Sequence, residues 1–420
     1  MADHSPFDIP EIRDQIAQFL STNDVLSCSV VCKSWSHGFT RRIWRKVDFN
    51  WNSRFNELDP KVISKHGRHI RVVERLSEEN ELNVLQDSSI RNLNCLRLIL
   101  AKSPRFRSQA IDVIRRNRNT IKKLAIQDSY SEEDESGFDF VDALIPSPRT
   151  CGLTELSLDS VYLTQESFSL LLAGCPLLDL IKLEECTFQP CSVSEPFKNY
   201  NVTHLIASIS QIRSEISSLT SSSLSFLEHF PNLKRWDVHT NEPMSTTTAD
   251  AIRYKLSNQE VVLGLLFHKD SLKYVHGYHR DHEMWTYDTN TVPVMEDHFS
   301  ESGSGWVIQL LTMNCPNLES LILPLHEMDV DYVERFPWAC KNLKELRVRF
   351  KGLGTKESIL GVTEMWREAQ RARTRGNHVE MDAVMAKSNS MSVKDKVTRH
   401  LLQFPKLNTV WLGHRTTRAY

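Results

Sequence analysis

The sequence predicts an α/β protein: a small helical unit over residues 1–50, then an irregular solenoid of strand–helix repeats over 60–420. Three observations carry this. Apolar residues over 8–50 recur at helical spacing. From residue 60 onward an apolar-x-x-apolar-x-apolar string recurs, at its best-kept with 24 to 25 residues between copies. Helical runs that stop at a proline stand between the strings. Strands built from such strings lie parallel and are expected on a concave face, with helices on the convex one.

The helical unit comes first. Ile12, Ile16, Phe19 and Leu20 form the stripe of an amphipathic helix. Pro10 suits a first turn, where its missing N–H has no helical partner, and Glu11 and Asp14 suit the helix dipole. Ser21-Thr22-Asn23-Asp24 breaks the stripe, with Asp24 expected to cap a second helix running from Val25 toward Trp35. A third stretch ends in Ile43-Trp44, and Val47-Asp48-Phe49 alternates like a strand. Forty residues make a marginal independent fold. Their apolar content exceeds what three short helices can hide from one another, which points to a partner.

Ile9-Pro10-Glu11, Ile16, Leu20, Asp24-Val25-Leu26, Val31-Cys32-Lys33-Ser34-Trp35 and Ile43-Trp44, in that order, resemble the F-box pattern. Val-Cys-Lys-x-Trp with a second Trp downstream is its most distinctive part. The first helix and the Trp35–Trp44 interval are each about one residue short of that pattern. The resemblance implies docking on a Skp-type adaptor and, through it, a cullin and a RING protein. It implies that Ile9, Pro10, Ile12, Ile16, Leu20, Val31, Cys32, Lys33 and Trp35 lie at or near the adaptor contact. The chain would then be the substrate-recognition subunit of an SCF-type ubiquitin ligase, with a protein substrate and no catalytic residue of its own. An interaction scaffold that keeps the same unit outside a ligase is the alternative.

The repeat strings follow. Clear copies are Leu93-Leu96-Leu98, Ile121-Leu124-Ile126, Leu153-Leu156-Leu158, Leu178-Ile181-Leu183, Leu233-Trp236-Val238, Leu318-Leu321-Leu323, Leu343-Leu346-Val348 and Leu407-Val410-Leu412. Ile70-Val73, Val202-Leu205-Ala207 and Leu272-Val275 are weaker. The string resembles the leucine-rich repeat, and Asn314-Cys315-Pro316-Asn317-Leu318 the cysteine-containing repeats that follow an F-box. A single strand–helix unit cannot bury its own apolar face, so copies must stack. Long insertions fall near 240–300 and 351–400, and such insertions commonly leave a solenoid as loops on a binding face. Within the second, 362–371 mixes charge and apolar spacing like a helix, and Gly376-Asn377 ends it.

Composition narrows the function. The chain has 51 basic and 53 acidic residues and a net charge of −2, which is no field for a general nucleic-acid binder. The basic run at 105–123 and the acidic run at 132–139 read as a solvated face and a loop. No apolar run is long enough to cross a membrane, and Met1-Ala2-Asp3-His4-Ser5 lacks the features of a secretory signal. Nine scattered cysteines make a poor disulfide framework, so cytosol or nucleus is expected. Phosphate-binding, nucleophile-elbow and zinc-protease motifs are absent from the sequence. His268, His276, His279 and His282 are the one cluster with ligand-like spacing, and a metal-dependent enzyme would use them. Gly277 interrupts the cluster, so loop histidines are the simpler reading, and no cofactor is expected.

Overall fold

The computed structural model describes residues 9–49, 59–86, 90–100, 103–128, 140–145, 151–184, 186–189, 198–207, 226–238, 264–277, 305–387, 392–412 and 416–418. The chain divides into two compact units, Met1–Ile181 with Glu185–Phe197, and Lys182–Glu184 with Lys198–Tyr420. Helices at the N-terminus lead into a mostly parallel sheet with helices.

The first unit begins with α1 (Pro10–Phe19), α2 (Thr22–Ser29) and α3 (Lys33–Ile43). The second helix starts earlier than expected. Its N-cap is Ser21, whose hydroxyl accepts the Asp24 N–H while the Asp24 carboxylate accepts the Ser21 N–H. Asp24 is thus the reciprocal partner of a capping box and not the cap itself. Nor does the helix reach Trp35. Cys32 is extended and opens α3, which carries Trp35.

Next come β1 (Lys46–Asp48), α4 (Pro60–His66), β2 (Val72–Leu76), α5 (Glu79–Gln86), β3 (Cys95–Leu100), α6 (Pro104–Asn117), β4 (Lys123–Asp128), α7 (Val141–Leu144) and β5 (Glu155–Asp159). Strands β1 to β5 pair in parallel and in chain order. Val47, Val73, Leu96, Leu124 and Leu156 stand in register across them, all essentially without solvent contact. Arg75 adopts a left-handed φ of 57° where the β2–β3 register slips between Val73 and Leu76. Then β6 (Tyr162–Thr164), α8 (Gln165–Gly174), β7 (Leu180–Glu184) and β8 (Thr187–Gln189) follow, β6 pairing with β8.

The second unit contains β9 (His204–Ala207), β10 (Arg235–Val238), β11 (Tyr274–Gly277), α9 (Gly305–Asn314), β12 (Ser320–Met328), α10 (Val330–Arg335), β13 (Glu345–Phe350), α11 (Lys356–Thr374), α12 (His378–Lys387), α13 (Val393–Leu401), β14 (Thr409–Leu412) and β15 (Thr416–Arg418). Strands β9 to β14 are parallel neighbours in chain order, and β15 closes antiparallel on β14. Here the buried row is Leu205, Trp236, Val275, Leu321, Leu346 and Val410.

Burial alternates along β4, β9 and β13, whereas consecutive residues are buried in β10, β11 and β12. A parallel sheet covered on both faces carries continuous apolar runs. At the alternating strands one face is covered and the other open. The first apolar residue of each string, such as Leu93, Leu153, Leu233 and Leu318, is buried just before its strand.

One backbone device recurs at successive strand entries within each unit. A carbonyl accepts two successive N–H groups from the next string: Arg71 from Asn94 and Cys95, Lys122 from Thr154 and Glu155, Lys273 from Glu319 and Ser320, Lys344 from Asn408 and Thr409. Both lone pairs of the oxygen are thereby used. Asn232 and Asn317, each next to the first leucine of a string, donate to the Tyr200 and Asp270 carbonyls one string back.

The 351–400 insertion is not a loop among the described residues. Helix α11 packs on α12 and α13, with Trp366 fully buried. Arg375 caps α11 and Gly376 follows at φ 68°, the left-handed turn that ends a helix most easily at glycine. Residues 240–250 and 278–300 lie outside the described residues, as does the acidic run at 132–139.

Candidate adaptor-docking surface

The three N-terminal helices hold one another through Ala17, Val25 and Phe39, with Leu20, Cys28, Trp35 and Ile43 packed around them. Arg13 ties α1 to the start of α3. It is buried, and its guanidinium donates to the Ser34 carbonyl at 2.5 Å and the Ser34 hydroxyl at 2.8 Å. Gly38 makes room for it, since a Cβ there would sit 3.3 Å from the guanidinium nitrogen. Trp44 stacks on His66 at 4.5 Å, tying the end of the bundle to α4.

This core leaves apolar surface uncovered. Phe19 is 89% exposed, Val30 82%, Val31 64%, Ile9 45% and Leu26 41%. Leu26 and Val30, four apart on helical backbone, share one face of α2. Of the residues assigned to the adaptor contact, Ile9, Val31, Cys32 and Lys33 are exposed. Ile12, Ile16, Leu20 and Trp35 are half-buried, and Leu20 and Trp35 also pack on the core. Pro10 opens α1. Phe19, Leu26 and Val30 were not assigned to the contact. Helical periodicity places Phe19 and Leu26 on apolar stripes, but only their exposure separates surface from core.

The model of a family described as F-box-like matches residues 10–50, so this span carries an F-box-like domain. The match covers about a tenth of the chain. No curated protein matches the sequence.

A polar network lies on the strand face opposite the buried row of the second unit, with Asp237, His276 and Ser320 themselves buried. His204 Nε2 lies 2.8 Å from Asp237, Arg235 Nε 3.0 Å from it, and His276 Nδ1 3.2 Å from it. His276 Nε2 is 2.9 Å from the Ser320 hydroxyl, which donates to Glu345 at 3.1 Å, and Glu345 pairs with Arg347. Burial raises the Asp237 carboxyl, but its bonds from His204, His276 and Arg235 outweigh this and hold it well below the usual carboxylate range. Serine, histidine and aspartate here stand in the order of a nucleophile relay. Yet the Ser320 N–H is given to the Lys273 carbonyl, so it cannot stabilise an oxyanion. An open groove beside the network is lined by Tyr274, Glu319, Ser320, Lys344, Glu345, Asn408 and Thr409.

The histidine cluster is not assembled by the described residues. His276 sits in β11, while His268 is buried in the preceding turn and bonds the Leu227 carbonyl. His279 and His282 lie outside the described residues, and no group of metal-ligating side chains occurs among those described. Within the basic run, Arg107 pairs with Asp128, both largely buried, so that part is structural.

Proposed function

We propose that the chain is the substrate-recognition subunit of an SCF-type ubiquitin ligase. The F-box-like domain docks a Skp-type adaptor, which brings cullin and RING protein, and the rest of the chain binds a protein substrate. The observation that carries this reading is the exposed apolar set on a unit whose own core is already filled: Phe19, Val30 and Val31. Exposure of that extent on a small helical unit marks a docking face, and the family match supplies the class of partner. The strand array is read as an irregular leucine-rich repeat, supported by the buried rows and the recurrent two-donor carbonyls. The protein contributes position and no bond chemistry. Its compartment is the cytosol or nucleus, consistent with described cysteines that are free thiols.

The test is reconstitution with purified adaptor, cullin and RING protein. Co-elution of the full chain with cullin, dependent on the adaptor, is expected. Adaptor binding that excludes cullin would replace the ligase reading with the scaffold reading.

A further inference from the structure

Two cysteines that are 24 residues apart meet inside the first unit. Cys151 precedes β5 and Cys175 ends α8. Their sulfurs lie 3.0 Å apart, with one S–H shared between them. Cys151 stands two residues before Leu153 and Cys175 three before Leu178, so each precedes the first leucine of adjacent strings. Their segments are clamped: the Cys151 N–H donates to the Gly174 carbonyl at 2.8 Å, and the Cys175 N–H to Leu171 at 3.1 Å. Cys175 is wholly buried and Cys151 is 6% exposed, so Cys151 is the sulfur nearer to solvent.

We propose that Cys151 and Cys175 form a reversible disulfide, an oxidation site within the first unit. The oxidant is a low-molecular-weight disulfide. The Cys151 thiolate attacks one sulfur of glutathione disulfide and expels one glutathione thiolate, forming a mixed disulfide. The Cys175 sulfur then attacks the Cys151 sulfur and expels the second glutathione. Two protein thiols are oxidised, one disulfide is reduced to two thiols, and both protons pass to glutathione.

The local chemistry assigns the roles. The hydrogen bond from Cys175 outweighs burial at Cys151 and lowers its thiol, while the same bond and burial raise Cys175. Attack begins at Cys151, the sulfur nearer to solvent, and is resolved by the buried Cys175. Cys315 and Cys340 sit at the place of Cys175 in later strings, three residues before Leu318 and Leu343. Burial pushes both up to about 12, so they are unreactive.

The test uses the full chain in glutathione redox buffers. Trypsin releases residues 150–182 as one peptide holding Cys151, Cys175 and no other cysteine. In the folded protein this peptide is expected to become lighter by two hydrogens and closed to alkylation. Its oxidation midpoint should fall at an oxidant ratio at least ~tenfold lower than in the guanidine-unfolded chain, because the fold holds the sulfurs together. Cys175→Ser should trap glutathione on Cys151, and Cys151→Ser should leave Cys175 unmodified. Equal midpoints in folded and unfolded chain would overturn the proposal. So would two alkylated thiols in this peptide when the exposed Cys32 already carries glutathione. Both comparisons can be read on the unsubstituted protein, so a misfolded variant does not decide them.

Discussion

Replacing His400 with leucine should remove a defined part of the acid sensitivity of the second unit. His400 lies buried on α13, its ring edge-on to Trp338 at 4.4 Å and Phe404 at 5.1 Å. Its Nε2 finds no hydrogen-bond partner among the described residues. Burial, reinforced by the nearby Lys341 charge, brings its pKa down from 6.5 to about 3. The unfolded chain therefore binds the proton more readily than the folded one. Stability is full above about pH 6.5 and falls as the pH drops toward 3. At about 1.4 kcal/mol per unit, the loss from this group between pH 7 and pH 5 is roughly 2 kcal/mol. Leucine at this position keeps the packing, at a cost under ~1.5 kcal/mol at pH 7. The assay is chemical denaturation at both pH values, followed by tryptophan fluorescence, for the original protein and His400→Leu. The variant should lose roughly 2 kcal/mol less on acidification, because other titrating groups cancel in the comparison. Equal losses in both proteins would refute the assignment of a buried neutral imidazole.

Other consequences follow from the same contacts. Ser21→Ala removes the cap of α2 and should cost about 1 kcal/mol in the melting of the N-terminal helices, read by circular dichroism. Arg13→Ala breaks the bonds to Ser34 and should cost about 1–3 kcal/mol there, with Ser34→Ala costing less because the carbonyl contact remains. Trp236→Ala empties a fully buried site in the β10 row and should cost about 3–5 kcal/mol. Trp236→Phe should cost less than half as much, since the indole N–H it removes has no acceptor among the described residues. Denaturant midpoints of the two variants decide that comparison.

Much of this architecture is legible in the chain because the strings encode it twice. Their first apolar residue is buried before the strand, and the next two alternate on its covered face, so Leu318, Leu321 and Leu323 all reach the core. The helical insertion was half legible. Charge mixed with apolar spacing marks 362–371, but a helix that extends from Lys356 and buries Trp366 depends on α13, far along the chain. At the N-terminus the residue types are right and the boundary is not. Asp24 and Ser21 are both good caps, and the choice between them is made by a two-way bond that composition does not order. Burial is the other gap. Helical spacing treats Phe19 and Val25 alike, yet one is 89% exposed and the other 2%. The Cys151–Cys175 contact is not legible in the chain, because their 24-residue spacing falls one short of the 25 between Leu153 and Leu178 and the two hold different string positions.

The central claim is that the uncovered apolar face of the N-terminal helices is an adaptor-docking surface. Calorimetric titration of the full chain with a purified Skp-type adaptor tests it most directly, beside Phe19→Asp and Val31→Asp. Both residues are exposed, so neither substitution should change the folding midpoint by more than about 0.5 kcal/mol. The account predicts saturable one-to-one binding, weakened at least ~tenfold by each substitution, about 1.4 kcal/mol or more. No binding by the original protein, or binding untouched by both substitutions, would contradict it.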